Sequence, residues 1–371
     1  MPIAFLISLA GLAQTAVHKA EQTEVIPPSY FATSADTGSG SLSSFMSTLS
    51  LATPGGNHVL LPEKRPTFAF HRRIHDDPAF RVELPSQFMR WYITAMKAVG
   101  GAIHNLVQEW TAEWLAGTRS DADAEVRLKG MVEEVIWGNV IWYGVGGWVT
   151  RGDSGRAMNA DFFLCVSPLD SLEYHIPADL LVPPQKSAHL VNSSIFLPGV
   201  VLRDEGTSPS SPFKPGTLPF SSRLLLLQAY LAVCTVWKIT RGNHSLPIAD
   251  FYAATEPHKC LPARAPGAGA LPSTGSAWTR IIPSAIQAPD EHTPKIARAL
   301  IDFARRWGTR PPGYFSAGET DAAGQKMPSL EGIERLDGTL FVRVAGLTLD
   351  RLGWVHEGED AGPWDKDGFP S

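Results

Sequence analysis

Three stretches of this chain repeat apolar side chains at helical spacing for longer than a strand usually runs, and this restricts the fold more than any other feature. Gln87 to Leu115 carries Phe88, Trp91, Tyr92, Met96, Ile103, Val107, Trp110 and Trp114 near that spacing. Asp121 to Gly147 repeats it with Val126, Met131, Val135, Ile136, Val140 and Tyr143. Ser221 to Thr240 (SSRLLLLQAYLAVCTVWKIT) is the most apolar of the three. It is expected near the centre, with Ser221 or Ser222 as N-cap. From Pro66 the run PTFAFHRRIHDDPAF predicts a further helix, closed by Pro78 because proline cannot continue the hydrogen-bond ladder. Pro294 to Trp307 and Gly338 to Leu349 add two more. Period-2 strand patterns are scarce, and βαβ alternation and internal repeats are absent, so the sequence predicts an all-α, multi-helix bundle-like fold.

The helices are separated by long connections. Ser34 to Asn57 is rich in Ser, Thr and Gly and reads as a flexible loop, and Leu261 to Gly275 is rich in Pro, Gly and Ala. The 30 Pro and 33 Gly fit this alternation of order and loop. With 371 residues, 44% hydrophobic and 19% charged, the chain reads as one large globular domain over residues 1–371.

Charge and cysteine usage exclude several partners. Net charge is −5 and the 32 basic residues are scattered, so no basic stripe exists to displace counterions from phosphates, and no nucleic-acid partner is expected. Cys165, Cys234 and Cys260 form no CxxC pair and are odd in number, which predicts neither a disulfide framework nor a thiolate zinc site and fits a reducing, cytoplasmic setting. The apolar run within Met1 to Ala20 lacks a preceding basic residue and reads as the tail of a core helix rather than a signal peptide. No membrane partner is expected, because no uninterrupted apolar run reaches the roughly 20 residues of a span.

Standard catalytic motifs are missing: there is no Walker loop, HExxH, GxSxG elbow, or GxGxxG between strand and helix. His71 and His75 share a helical face, with Asp76 and Asp77 following, but beside Arg72 and Arg73 they are expected to form a solvated helix end rather than a metal site. Glu133 and Glu134 lie in an apolar helix, where either points inward as a base or ligand support, or pairs with Arg or Lys. Trp110, Trp114, Trp137, Trp142, Trp148 and Trp237 either wall a flat aromatic pocket or simply pack. The segments NADFFL, HLVNSSIFLP and DEHTPKIARAL embed Asp161, His189, Asn192, Ser193, His292 and Lys295 in hydrophobic surroundings. Buried polar groups are costly unless paired or liganded, so these are candidate site residues.

Together these segments resemble the questin oxidase-like family of fungal secondary metabolism. The resemblance rests on DFFL (Asp161 to Leu164), HLVNSSIFLP, LLLLQAYLAVCTVWKITRGNHSLPIADFY, HTPKIARAL, GTRPPGYF (Gly308 to Phe315) and the terminal LDGTLFVRVAGLTLDRLGW, and it spans about Leu12 to Trp364. It implies an oxidoreductase, of monooxygenase or dioxygenase type, that opens a ring of an anthraquinone-type polyketide in a Baeyer–Villiger-like oxidation. Oxygen and NADPH are the implied co-substrates, and an aromatic small molecule is the implied partner. It further implies a histidine-rich non-haem iron site with a lysine that acts as a carboxylated ligand. By position, His189, His292 and Lys295 match metal residues, with Asp161 and His189 in the catalytic set and Asp161 orienting a ligand. His18 matches a histidine at the end of a family helix.

Two departures qualify the resemblance. Family members carry histidine-rich helices before the point matched by the start of this chain, which predicts an N-terminally incomplete domain and, as the alternative function, an inactive relative that only binds an aromatic ligand or a partner. Second, Cys165 to Ala188 (CVSPLDSLEYHIPADLLVPPQKSA) intervenes where the family runs almost directly from DFFL into the histidine helix. This non-family insert at 165–188 is either a loop or a translated intron, since Val166 and Ser167 are encodable by a splice-donor-like sequence.

Overall fold

Every residue from Met131 to Gly146 is buried in the computed structural model, which describes residues 65–83, 91–146, 189–202, 218–240, 246–255, 276–288, 292–316 and 329–352. A helix buried all round must be covered on every side, and the rest of the fold is arranged to do this. In chain order the helices are α1 (Ala69–Asp76), α2 (Trp91–Leu115), α3 (Asp121–Ile141), α4 (His189–Ser194), α5 (Leu197–Val201), α6 (Phe220–Thr240), α7 (Ile248–Ala254), α8 (Trp278–Gln287), α9 (His292–Trp307) and α10 (Leu340–Leu352). No strand occurs among the described residues, so the architecture is all-α.

The central α3 begins at Ser120, whose side chain accepts from the Asp123 N–H, with Asp121 and Asp123 in the positive first turn. It runs on into a π turn at Trp142–Gly146. The long α2 and α6 pack against each other and against α3, α4 and α5 also lie on α3, and α8, α9 and α10 form a second group that reaches α3 through α10. Trp137 joins the groups: its indole meets Phe315 and Phe341 edge-on, each with ring centroids 4.6 Å away. Where the π turn meets α10, a Cβ on Gly144 would collide with Val344, so only glycine permits that approach.

The periodic stretches became α2, α3, α6, α9 and α10, with ends shifted by a few residues. Pro78 closes α1 as expected, and Asp77 caps the following 3-10 turn by accepting from the Ala79 N–H. One expectation is corrected: Ser221 and Ser222 do not cap α6, which already starts at Phe220. Among the described residues α6 is the sole helix long and apolar enough by length and composition to cross a membrane, but Arg223 and Lys238 interrupt its apolar run and Leu224, Leu227 and Leu231 face the core. The structure also contains α8, which carries Pro283 inside it. The expected loop at Ser34 to Asn57, the connection at Leu261 to Gly275, the helix at the start of the chain and the insert at 165–188 lie outside the described residues.

Candidate functional site

The second half of α3 brings Glu133, Glu134, Asn139 and Trp142 into the interior, and each is satisfied by a different neighbour. Glu133 forms a two-pronged ion pair with Arg310, whose Nε and Nη2 each lie 3.1 Å from a carboxylate oxygen. The Arg310 guanidinium also sits 4.1 Å from the Tyr314 ring centroid, so the GTRPPGYF segment is fastened to α3. Glu134 turns the other way and accepts from Trp110 Nε1 at 3.0 Å, Trp114 Nε1 at 2.6 Å and the Phe68 N–H at 3.1 Å. Of the two adjacent carboxylates, Glu133 takes the ion-pair role and Glu134 points inward, where it accepts from two indoles and a backbone N–H.

That acceptor holds the start of α1 in place. Phe68 has φ 59°, in the left-handed region disfavoured for a side chain of its size, and its N–H is tied to Glu134. The turn delivers His71 to the interior, only 1% exposed, whereas His75 stays part-exposed with Nδ1 2.9 Å from Asp76. The expectation of a solvated helix end thus holds for His75 and is corrected for His71: Phe70 and Ile74 bury this face of the helix and carry the imidazole inward with them. Trp142 Nε1 donates to His71 Nδ1 at 3.3 Å, and the other side of the ring lies against Gly138, where any Cβ would clash. Burial first, and the Lys238 cation second, hold the imidazole well below its ordinary range, so it is neutral and accepts at Nδ1.

Lys238, on α6, completes this layer. It is fully buried, with Nζ 5.7 Å from the Trp142 ring centroid. Burial lowers its amine to about 8, against the opposing pull of Cys234 and Glu134. One turn earlier on α6, Cys234 accepts from Asn139 Nδ2 at 3.7 Å, and the same amide group donates to Ser194 Oγ at 2.9 Å. Tyr230 closes the layer over α4, with its hydroxyl 2.8 Å from Ser193 Oγ and donating at 2.8 Å to the Leu190 carbonyl. The HLVNSS segment is therefore locked onto α3 and α6 by side-chain hydrogen bonds. The structure thus builds an aromatic-walled interior with a carboxylate, a neutral imidazole and an amine of lowered basicity.

Several of these residues escaped the sequence reading. Lys238 had a signal, as a single charge in the apolar run from Leu224 to Thr240, and Asn139 had the same kind of signal in VIWGNVIWYG. Of the tryptophans singled out, Trp110, Trp114, Trp137, Trp142 and Trp237 are buried, and Trp148 lies outside the described residues. A surface cavity of about 510 Å³ between α1 and α2 is lined by Arg72, Arg73, Asp76 and Glu109, but these charges pair with one another.

The residues expected to hold iron are only partly brought together. Asp161 lies outside the described residues, and His189 is described only as the first residue of α4. His292 opens α9 and is 5% exposed, and α4 packs on both α3 and α9, so the backbone brings the two histidine-bearing helices side by side. Lys295, three residues after His292, is exposed. Among the described residues, no group of three His, Cys, Asp or Glu is placed to hold a metal ion.

Comparison with known proteins gives one match. No curated protein and no solved structure was found to match the chain. A family profile described as Questin oxidase-like matches residues 6–196 and 186–300, and the two stretches meet at the HLVNSSIFLP segment that α4 and α5 build. The match takes in α1 to α8 and the start of α9, with the layer of Glu134, His71, Trp142 and Lys238 inside it, so the chain belongs to the questin oxidase-like family.

Proposed function

We propose that this protein catalyses a ring-opening, Baeyer–Villiger-like oxidation of an anthraquinone-type polyketide, using oxygen and NADPH. Family membership makes it an oxidoreductase of aromatic polyketide metabolism, with a small molecule as substrate. The observation that carries the finer reading is the aromatic interior around Trp142, with Lys238, His71 and Glu134 in one layer. A flat polyphenol is recognised by ring faces together with a few polar groups that fix its orientation. His71, kept neutral and accepting the Trp142 N–H at Nδ1, adds a polar contact rather than a charge to this interior. Non-haem iron is part of the proposal, with His189, His292 and Lys295 as the expected ligands and Asp161 as a supporting residue. A cytoplasmic setting belongs to it as well, in keeping with three cysteines that are odd in number and form no CxxC pair.

The second reading is a catalytically inactive family member that binds an aromatic ligand or a partner, and the exposed position of Lys295 favours it. One experiment separates the two: iron content of the purified protein together with oxygen uptake on adding an anthraquinone and NADPH. Stoichiometric iron and NADPH-dependent uptake support the oxidase. A folded protein that is iron-free and inert with every anthraquinone tried supports the binding protein instead.

A further inference from the structure

Of the buried side-chain atoms that lack a hydrogen-bond partner among the described residues, two lie at one helix crossing. Lys238 is fully buried, yet its Nζ has no hydrogen-bond partner among the described residues. Asn139 is 1% exposed, and although its Nδ2 is engaged, its Oδ1 has no such partner either. Leaving one buried polar group unpaired is unfavourable, and leaving a donor and an acceptor unpaired in the same layer needs a cause.

Their placement supplies one. Asn139 near the end of α3 and Trp142 at the start of the π turn are three apart, Cys234 and Lys238 are four apart on α6, and both spacings put the two residues on one face. The two faces meet, because Asn139 Nδ2 donates to Cys234 and the Lys238 amine lies over Trp142. Asn139 and Lys238 therefore belong to successive rungs of one helix crossing, about one turn or roughly 5 Å apart along the axis. A hydroxyl, which both donates and accepts, is the single group that satisfies an acceptor and a donor presented on neighbouring rungs. The indole of Trp142 provides the adjoining ring face.

We propose that Asn139 and Lys238 bind a phenolic hydroxyl of the aromatic ligand, which donates to Asn139 Oδ1 and accepts from Lys238 Nζ. Both are ligand-orienting residues, and the proposal rests on the aromatic-polyketide reading for its ring but not on any oxidation. The groups whose charge reaches Lys238 are Glu134 and Cys234, and the Lys238 cation in turn acts on His71. None of them bonds the amine among the described residues, so the ligand hydroxyl is its partner.

The test compares 2-hydroxyanthraquinone, whose hydroxyl is clear of the quinone carbonyls and free to donate, with unsubstituted anthraquinone by quenching of tryptophan fluorescence, anaerobically and without NADPH. A site built around a hydroxyl rejects the analogue that lacks it, and the wild-type protein is expected to bind the hydroxylated probe at least about tenfold tighter. Lys238→Met and Lys238→Gln are expected to bring the two affinities together while the bare ring still binds. Equal affinities in the wild type, no binding of either probe, or unchanged discrimination in a folded Lys238 variant overturns the proposal and leaves water as the occupant of the gap. The wild-type ratio needs no variant, so misfolding of Lys238→Met does not spare the proposal. Discrimination without oxygen uptake sinks only the oxidation reading, and turnover without discrimination sinks only this one.

Discussion

Glu134 fixes more of the interior than its single charge suggests. Its carboxylate is the shared acceptor for two indoles and for the strained Phe68 N–H, so it joins α1 and α2 to α3 at one point. Replacing it with alanine leaves these donors buried and unbonded, and each such donor costs about 1 to 3 kcal/mol. Glu134→Ala is therefore expected to lose at least roughly 3 kcal/mol of stability, read as a lowered urea midpoint, and to redden tryptophan emission as Trp110 and Trp114 meet water. An unchanged midpoint would refute that role. Lys238 acts in the opposite sense. Its amine is near 8 when folded and 10.5 in the ordinary case, so between those values the unfolded chain binds the extra proton and stability rises with pH. The penalty is complete below pH 8, and its removal by pH 10.5 is worth roughly 3 kcal/mol. His71 behaves alike at lower pH, since it stays neutral while the unfolded imidazole takes up a proton below about 6.5. Stability is thus expected to fall on acidification through pH 6.5, and Lys238→Met is expected to remove the rise between pH 8 and 10.5 while leaving the acid limb in place, as urea titrations across pH would show.

At the scale of elements, the contact of α1 with α3 depends on a glycine that helix propensity alone would discard. Alanine in place of Gly138 gains up to about 1 kcal/mol of propensity. The added methyl, however, strikes the imidazole of His71, which is held from its other side by the Trp142 N–H. Overpacking of this kind costs about 1 to 3 kcal/mol, so Gly138→Ala is expected to lower the melting temperature, and a rise would show that α1 yields easily. This contact also marks the limit of what the sequence discloses. Period and apolar content are properties of one segment, so α2, α3 and α6 were legible from spacing. Which face of α1 turns inward is decided by partners far along the chain, and His71 was accordingly read as solvated beside Arg72 and Arg73. The same reasoning explains α8. Its Pro283 is a breaker by local rules, yet the helix continues through it while Ile281 and Ala285 are buried against the second helix group. At Glu133 and Glu134 the sequence set the alternatives correctly but could not assign them, because Arg310 and the indoles arrive from distant segments.

For the whole molecule, the open question is what residues 165–188 contribute. The family profile matches residues 6–196, a stretch that runs through this segment, and again 186–300, which begins inside it, and α4 follows directly from the segment. We propose that the segment is not part of the family fold and arises from a translated intron. The packing of α4 does not call for it: Asn139, Ser194 and Tyr230 fasten α4 to α3 and α6 from within the described core. Two measurements bear on this. Transcript sequencing across Cys165 to Ala188 is expected to find messages that lack the segment. A protein with 165–188 deleted is expected to fold with an unchanged or higher melting temperature, because shortening an unneeded connection lowers the entropy lost on closing it. Loss of folding on deletion, with every transcript retaining the segment, would make it a structural part of this chain. His189 would then be positioned by a loop of its own rather than by direct continuation from Asp161.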